Sequence, residues 1–171
     1  GMMRSRGPSG WSDTGMNPNA SAEGIAGIAW MTAKTGRMFG MEPVIAMVSY
    51  SNFGSSQGDS GKKLREAVAY LHENYPDLAV DGELQSDFAL NPEMLKKNFP
   101  FSKWAGKKVN TLIFPNLDAA NITYKMLKEM DGATSIGPIM LGMNKPVHIF
   151  QLGASVDEMV NMTAIAVINA Q

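Results

Sequence analysis

The sequence predicts an α/β protein with three layers, a mostly parallel sheet between helices. Three observations predict it. Residues 43–49 (Pro-Val-Ile-Ala-Met-Val-Ser) form an apolar run too short for a typical helix, of the kind that makes a strand buried on both faces, and 109–114 reads as a second such strand. Segments with apolar residues at helical spacing follow both. Strands and helices then alternate to the end of the chain.

The elements follow in order. Residues 1–19 are rich in Gly, Ser, Pro and Asn and read as a flexible lead, with Gly1-Met2 as the remnant of a cleaved tag. Ser21 is placed to cap a first helix. Ile25, Ile28, Ala29, Thr32 and Phe39 mark its inner face, and Gly40 its C-terminal end. After the 43–49 strand, a polar, glycine-rich loop at 49–61 leads into a helix with Leu64, Ala67, Val68 and Leu71 at i, i+3, i+4, i+7. Lys62, Lys63, Arg65, Glu66 and Glu73 lie on its outer face, and Pro76 lies just past its end. Residues 78–80 are a short strand closed by Asp81-Gly82. Asn91 and Pro92 open a short helix as cap and first residue. Beyond the 109–114 strand, Asp118 caps a helix to about Met130, with Ala120, Tyr124 and Leu127 on one face. Residues 136–141 and 147–150 are further strands. Ser155-Val156-Asp157-Glu158 matches the capping box, and the nearly all-apolar helix behind it is expected to be buried.

Composition excludes several chemistries. The chain has 171 residues, 15 Lys+Arg against 16 Asp+Glu, and a formal net charge of -1, which argues against a nucleic-acid partner. Cysteine is absent, so disulfides, thiolate metal sites and thiol nucleophiles are excluded. No apolar run approaches the ~20 residues of a membrane span, and no secretory signal is visible. A cytoplasmic location with no membrane partner is expected. The 14 methionines suit adaptable packing in a core or an interface.

The 49–61 loop follows a buried strand and precedes a helix, where backbone N–H groups favour an anion such as phosphate. An ordinary surface connection explains it equally well, and neither a P-loop nor a dinucleotide fingerprint is present. Its serines Ser51, Ser55 and Ser56 are candidate ligand contacts. Asp81, Glu83 and Asp87 can hold a divalent cation or act as acid and base, but a turn with helix-capping acids is the preferred account, and no metal site is assigned. Asn116 and Asn121, at the start of the helix after 114–115, are candidate ligand contacts that more often satisfy local backbone. His148 reads as a hydrogen-bonded core residue, His72 as solvated, and Lys62, Lys63 and Arg65 as a solvated face.

Several segments together resemble the phosphate acetyl/butyryltransferase family. They are Ile45-Ala46-Met47-Val48-Ser49-Tyr50-Ser51-Asn52-Phe53-Gly54-Ser55-Ser56, Asp81-Gly82-Glu83-Leu84-Gln85-Ser86-Asp87, 113–122 and 136–147, in order and spacing from about Asp13 onward. Phe99-Pro100-Phe101-Ser102 and the 153–164 ending are most similar to the C-terminal domain of large bacterial NADP-dependent malic enzymes. The resemblance implies an isocitrate/isopropylmalate dehydrogenase-like fold (the phosphotransacetylase fold) of two α/β subdomains whose cleft binds coenzyme A thioesters. Residues 20–171 then correspond to the C-terminal part of such a domain, and a strand precedes Asp13.

Transferases of the family carry a Ser-Arg pair just before a Gly, with an acid a few positions on. The Arg supports substrate binding and transition-state charge. Here Gln151-Leu152 stand in that place, by position candidate ligand contacts, and Glu158 stands in the place of the acid. The resemblance therefore implies a non-catalytic module of a malic enzyme that senses acetyl-CoA and joins subunits into a homo-oligomer. NADP and a divalent metal would serve only the absent N-terminal part. The alternatives are an active phosphate acetyltransferase and a purely structural oligomerisation module.

Overall fold

The computed structural model describes residues 10–12, 19–131, 137, 139–150 and 152–170, without the side chains of residues 10–12, 128 and 131. They fall into two compact units, Gly1–Asn121 and Ile122–Gln171.

The first unit holds a four-stranded parallel sheet of β1 (Gly10–Ser12), β2 (Ile45–Val48), β3 (Val80–Leu84) and β4 (Thr111–Ile113), in the order β1-β4-β2-β3. Helices α1 (Ala22–Met38), α2 (Asp59–Asn74), α3 (Ser86–Leu90) and α4 (Pro92–Asn98) connect and cover it. Side chains alternate across a strand, so β2 feeds two cores. Ile45 and Met47 join Ile25, Ala29, Leu64, Leu71 and Ile113 on one face. Ala46 and Val48 join Leu84, Leu95, Trp104 and Phe114 on the other. Burial on both faces explains why the strand reads as a continuous apolar run.

Local signals place α1 and α2. The Ser21 hydroxyl accepts the Gly24 N–H at 3.2 Å, and Gly40 adopts φ +70° behind the C-terminal residue Phe39. Leu64, Ala67, Val68 and Leu71 are the buried face of α2. Asn91 caps α4 by accepting the Met94 N–H at 3.1 Å.

Five expectations need correction here. Gly10–Ser12, assigned by composition to the lead, form β1 against β4, the strand that the family resemblance implies ahead of Asp13; ladder hydrogen bonds need no hydrophobic period. Phe39 is exposed because the helix ends before it. The strand expected to stop at residue 80 runs on through Asp81, Gly82 and Glu83 to Leu84. Asp81 and Glu83 suit a strand because their side chains accept hydrogen bonds inside the molecule. The residue that caps α5 (Leu117–Asp131) is Asn116, which accepts the Ala119 N–H at 2.9 Å; Asp118 lies within the first turn. His72 is tethered rather than solvated, with Nε2 2.9 Å from the Val80 carbonyl and 2.8 Å from Lys103 Nζ.

The second unit carries most of α5 and helix α6 (Val156–Asn169). Its capping box is complete: Ser155 Oγ accepts the Glu158 N–H at 3.1 Å, and Glu158 Oε2 accepts the Ser155 N–H at 2.8 Å. Ser155→Ala is expected to lower stability by about 1 kcal/mol, read as an earlier loss of helical circular dichroism on heating. Two expectations fail in this unit. The two strands foreseen at 136–141 and 147–150 reduce, among the described residues, to one antiparallel bridge between Ile139 and His148. Ile136 and Pro138 lie outside the described residues. Helix α6 is apolar but not buried all round: Met162 and Ile165 are buried, whereas Val156, Val160 and Val167 are exposed. Among the described residues no helix is long and apolar enough to cross a membrane.

Candidate functional site

The loop between β2 and α2 leaves the sheet at the carboxyl end of β2, the side on which open α/β sheets bind ligands. Its shape follows from one buried acid. The ladder between β2 and β3 shifts by one residue, with Met47 opposite Gly82 and Val48 opposite Leu84. Glu83 falls in the gap, as at a bulge, and its carbonyl takes the Phe53 N–H at 2.7 Å.

The Glu83 side chain is fully buried. Its Oε1 accepts three donors: the Ser51 hydroxyl at 2.7 Å, the Gly54 N–H at 2.9 Å and Arg65 Nη1 at 2.8 Å. Charge-assisted bonds of this kind are short and strong. Oε2 is buried without a partner. Phe53 and Gly54 both have positive φ, +46° and +88°, at the turn that brings the Gly54 N–H to the acid. Ser51 Oγ in turn accepts the Ser56 N–H at 3.0 Å, and Ser55 Oγ accepts the Asn52 N–H at 2.9 Å. Asn52 Oδ1 takes the Gln85 N–H at 2.8 Å, and Gln85 Nε2 donates to the Tyr50 carbonyl at 2.7 Å. At the outer rim the Ser56 hydroxyl donates to the Tyr50 hydroxyl at 3.3 Å. The Tyr50 hydroxyl packs over Gly58, so a Cβ added at Gly58 would push the exposed Tyr50 ring aside.

The structure thus brings Ser51, Ser55 and Ser56 together, with Ser51 buried beneath the loop and its hydrogen committed to Glu83. It separates the three acids. Asp81 is buried and accepts the Ser102 hydroxyl at 2.7 Å and the Lys103 N–H at 2.8 Å, while Asp87 lies in the first turn of α3. Among the described residues no three His, Cys, Asp or Glu side chains converge on a metal position. Asn116 is spent on capping α5, and Asn121 is exposed on that helix. Lys62 is solvated and lies 3.9 Å from Glu66, and Lys63 reaches Asn19 Oδ1 at 2.8 Å. Arg65 departs from the solvated face assigned to it and turns under the loop to Glu83. The signal for it is its place beside Leu64, at the edge of the inner face. On the opposite end of α1, Arg37 pairs with Glu42 at 2.9 Å, and this hydrogen bond holds the Glu42 carboxyl below its ordinary range.

In the second unit, Leu152 is fully exposed (106%) in the turn ahead of Gly153, which has φ +90°. A small cavity of about 40 Å³ there is lined by Tyr124, Phe150, Leu152, Gly153, Glu158 and Met162 among others. Gln151 lies outside the described residues. The Glu158 carboxylate is engaged in the capping box. Both ring nitrogens of His148 are buried and have no hydrogen-bond partner, unlike the bonded core histidine expected.

The model of the family described as phosphate acetyl/butaryl transferase matches residues 2–167. The chain belongs to that family. This family member is 42% identical over 159 residues to an NADP-dependent malic enzyme of Haemophilus influenzae, covering 93% of this chain and 21% of the enzyme. It is 40% identical over 162 residues to a phosphate acetyltransferase of Clostridium acetobutylicum, covering 94% of this chain and 48% of that protein. The solved EutD phosphotransacetylase from Staphylococcus aureus superposes with a TM-score of 0.88 at 33% identity, over 99% of this chain and 52% of that one. The chain therefore spans about a fifth of the malic enzyme and about half of the two transacetylases. The α/β fold with a parallel sheet is the phosphotransacetylase fold, represented in part.

Proposed function

We propose that this chain is the acetyl-CoA-sensing and subunit-assembly part of a bacterial NADP-dependent malic enzyme, without acyl transfer of its own. The observation that carries this reading is Leu152. It occupies the turn before Gly153 where the resembled transferases place an arginine, and it points an aliphatic side chain to solvent. A leucine neither donates a hydrogen bond nor carries charge, and loss of one such donor typically lowers turnover ~10²–10³-fold. Sensing needs only binding coupled to a change at a subunit contact. The malic enzyme similarity at 42% supports the parent assignment. In the first unit the contacts open to a coenzyme A thioester are Ser55 and Ser56 on the loop and Asn121 on α5, while Ser51 and Asn116 are committed to Glu83 and to capping α5; in the second unit Leu152 is the candidate. NADP and a divalent metal would belong to the rest of the whole protein. The exposed valines of α6 suit contact with a second subunit in a homo-oligomer.

The test uses the whole protein. Calorimetric titration with acetyl-CoA is expected to give saturable heat, and arsenolysis or phosphorolysis of acetyl-CoA is expected to be undetectable. Phosphate-dependent turnover would overturn the reading. A working phosphate acetyltransferase is the second reading, favoured by the 40% identity to the clostridial enzyme. It requires turnover that Leu152→Arg leaves unchanged, whereas a large gain in that variant marks a decayed transferase site. No heat with acetyl-CoA would leave a structural module.

A further inference from the structure

The glycine-rich loop and the first turn of α2 together look like a place for a phosphate, with backbone N–H groups, a serine hydroxyl and a guanidinium aimed at one point. That point is taken. Glu83 Oε1 receives the Ser51 hydroxyl, the Gly54 N–H and Arg65 Nη1, and it lies 3.4 Å from where a Cβ on Gly61 would sit, in the first turn of α2. Helix α2 has no side-chain cap of its own at Gly58. The positive end of a helix favours a nearby carboxylate, and Glu83 supplies one from within the fold. A second acid, Asp59, stands in the same turn. An external phosphate would meet two negative charges and donors already used.

We infer that Glu83 is the resident anion of this loop: its carboxylate occupies the position that a ligand's phosphate would need, and it acts as a positioning residue that holds the loop and presents Tyr50 and Ser56 at the rim. Ser51 and Arg65 then serve Glu83, not a ligand. A bound thioester would meet the outer rim of the loop and place its phosphates elsewhere. The inference stands whether or not the chain senses acetyl-CoA.

The experiment uses the whole 171-residue chain and two probes, inorganic phosphate and acetate. In the native chain, phosphate is expected to leave the Gly54 and Ser56 amide resonances in place; a saturable shift of either overturns the inference. Glu83→Ala removes the atoms of an acetate ion and leaves the three donors facing the gap. Acetate is expected to raise the melting temperature of this variant in a saturable way, and to shift its Gly54 resonance, where chloride at equal ionic strength does neither. No acetate effect on a folded Glu83→Ala overturns the inference. If that variant does not fold, Glu83→Gln keeps the volume and removes the charge. Its Gly54 amide is expected to exchange with solvent about tenfold faster, the equivalent of one weakened charged hydrogen bond, while Leu95 in α4 keeps its native rate. Native exchange at Gly54 in that variant would overturn the inference.

Discussion

Gly82→Ala is expected to bring the protein close to unfolding. Gly82 sits inside β3 with φ +136°, a conformation that costs an L residue about 1–3 kcal/mol. The added methyl would also stand 2.7 Å from the Met47 carbonyl oxygen and 3.0 Å from the Met47 Cβ on the adjacent strand. Met47 is fully buried in the core beneath α1 and α2, so neither neighbour can retreat. Overpacking of a close-packed interior adds about 1–3 kcal/mol. The sum, about 2–6 kcal/mol, is a large share of the roughly 5–15 kcal/mol that holds a domain together. Urea titration reads the effect as a fall in midpoint with an unchanged slope. Gly27→Ala is the control. Gly27 lies in α1 with nothing within 4 Å of the added carbon, and the change is expected to stabilise by about 0.5–1 kcal/mol. A small effect at Gly82 would mean that β2 and β3 separate easily.

Arg65→Met is expected to be the next most damaging change. It keeps the length of the side chain and removes its charge, which leaves the Glu83 carboxylate buried with two neutral donors. Breaking a buried pair by removing one partner is costly because the remaining charge stays out of water. Arg65 is itself partly open to solvent, at 29% side-chain exposure, and the Ser51 and Gly54 bonds persist, so the expected loss is at the low end, about 2–3 kcal/mol. The double variant with Glu83→Gln tests the cause. With no charge left to strand, it is expected to be more stable than Arg65→Met alone. Additive losses in the double-mutant cycle would show that the two side chains do not act on each other.

Much of the fold was legible because its signals are local. Leu64, Ala67, Val68 and Leu71 describe the buried face of α2, and Ser21, Asn91 and Ser155 cap the helices that follow them. A strand buried on both faces leaves one pattern, an unbroken apolar run, and β2 shows it. β3 hid behind Asp81-Gly82-Glu83, which has the composition of a turn. Nothing within a few residues reveals that Ser102 waits for Asp81 or that Arg65 and Ser51 wait for Glu83. The same limit applied to the site. Ser51 looked like a ligand contact because its partner lies 32 positions away. Periodicity also cannot say what covers a surface: α6 reads as buried because it is apolar, yet Val156, Val160 and Val167 face outward. The departure at Gln151-Leu152 became legible only against a family pattern.

The pairing of β1 has a consequence for the order of assembly. Gly10 lies opposite Thr111, so the first strand of the sheet joins a strand about a hundred residues further along the chain. Pairing over such a distance closes a long loop and is slow to form. On a ribosome adding roughly 5–20 residues per second, β1 would wait several seconds before β4 exists. Meanwhile β2, α2 and β3 have each other as near neighbours in sequence and can dock first, with Glu83 drawing the loop down as soon as β3 is made. β1 then closes the sheet at its far edge, last to arrive and first to leave.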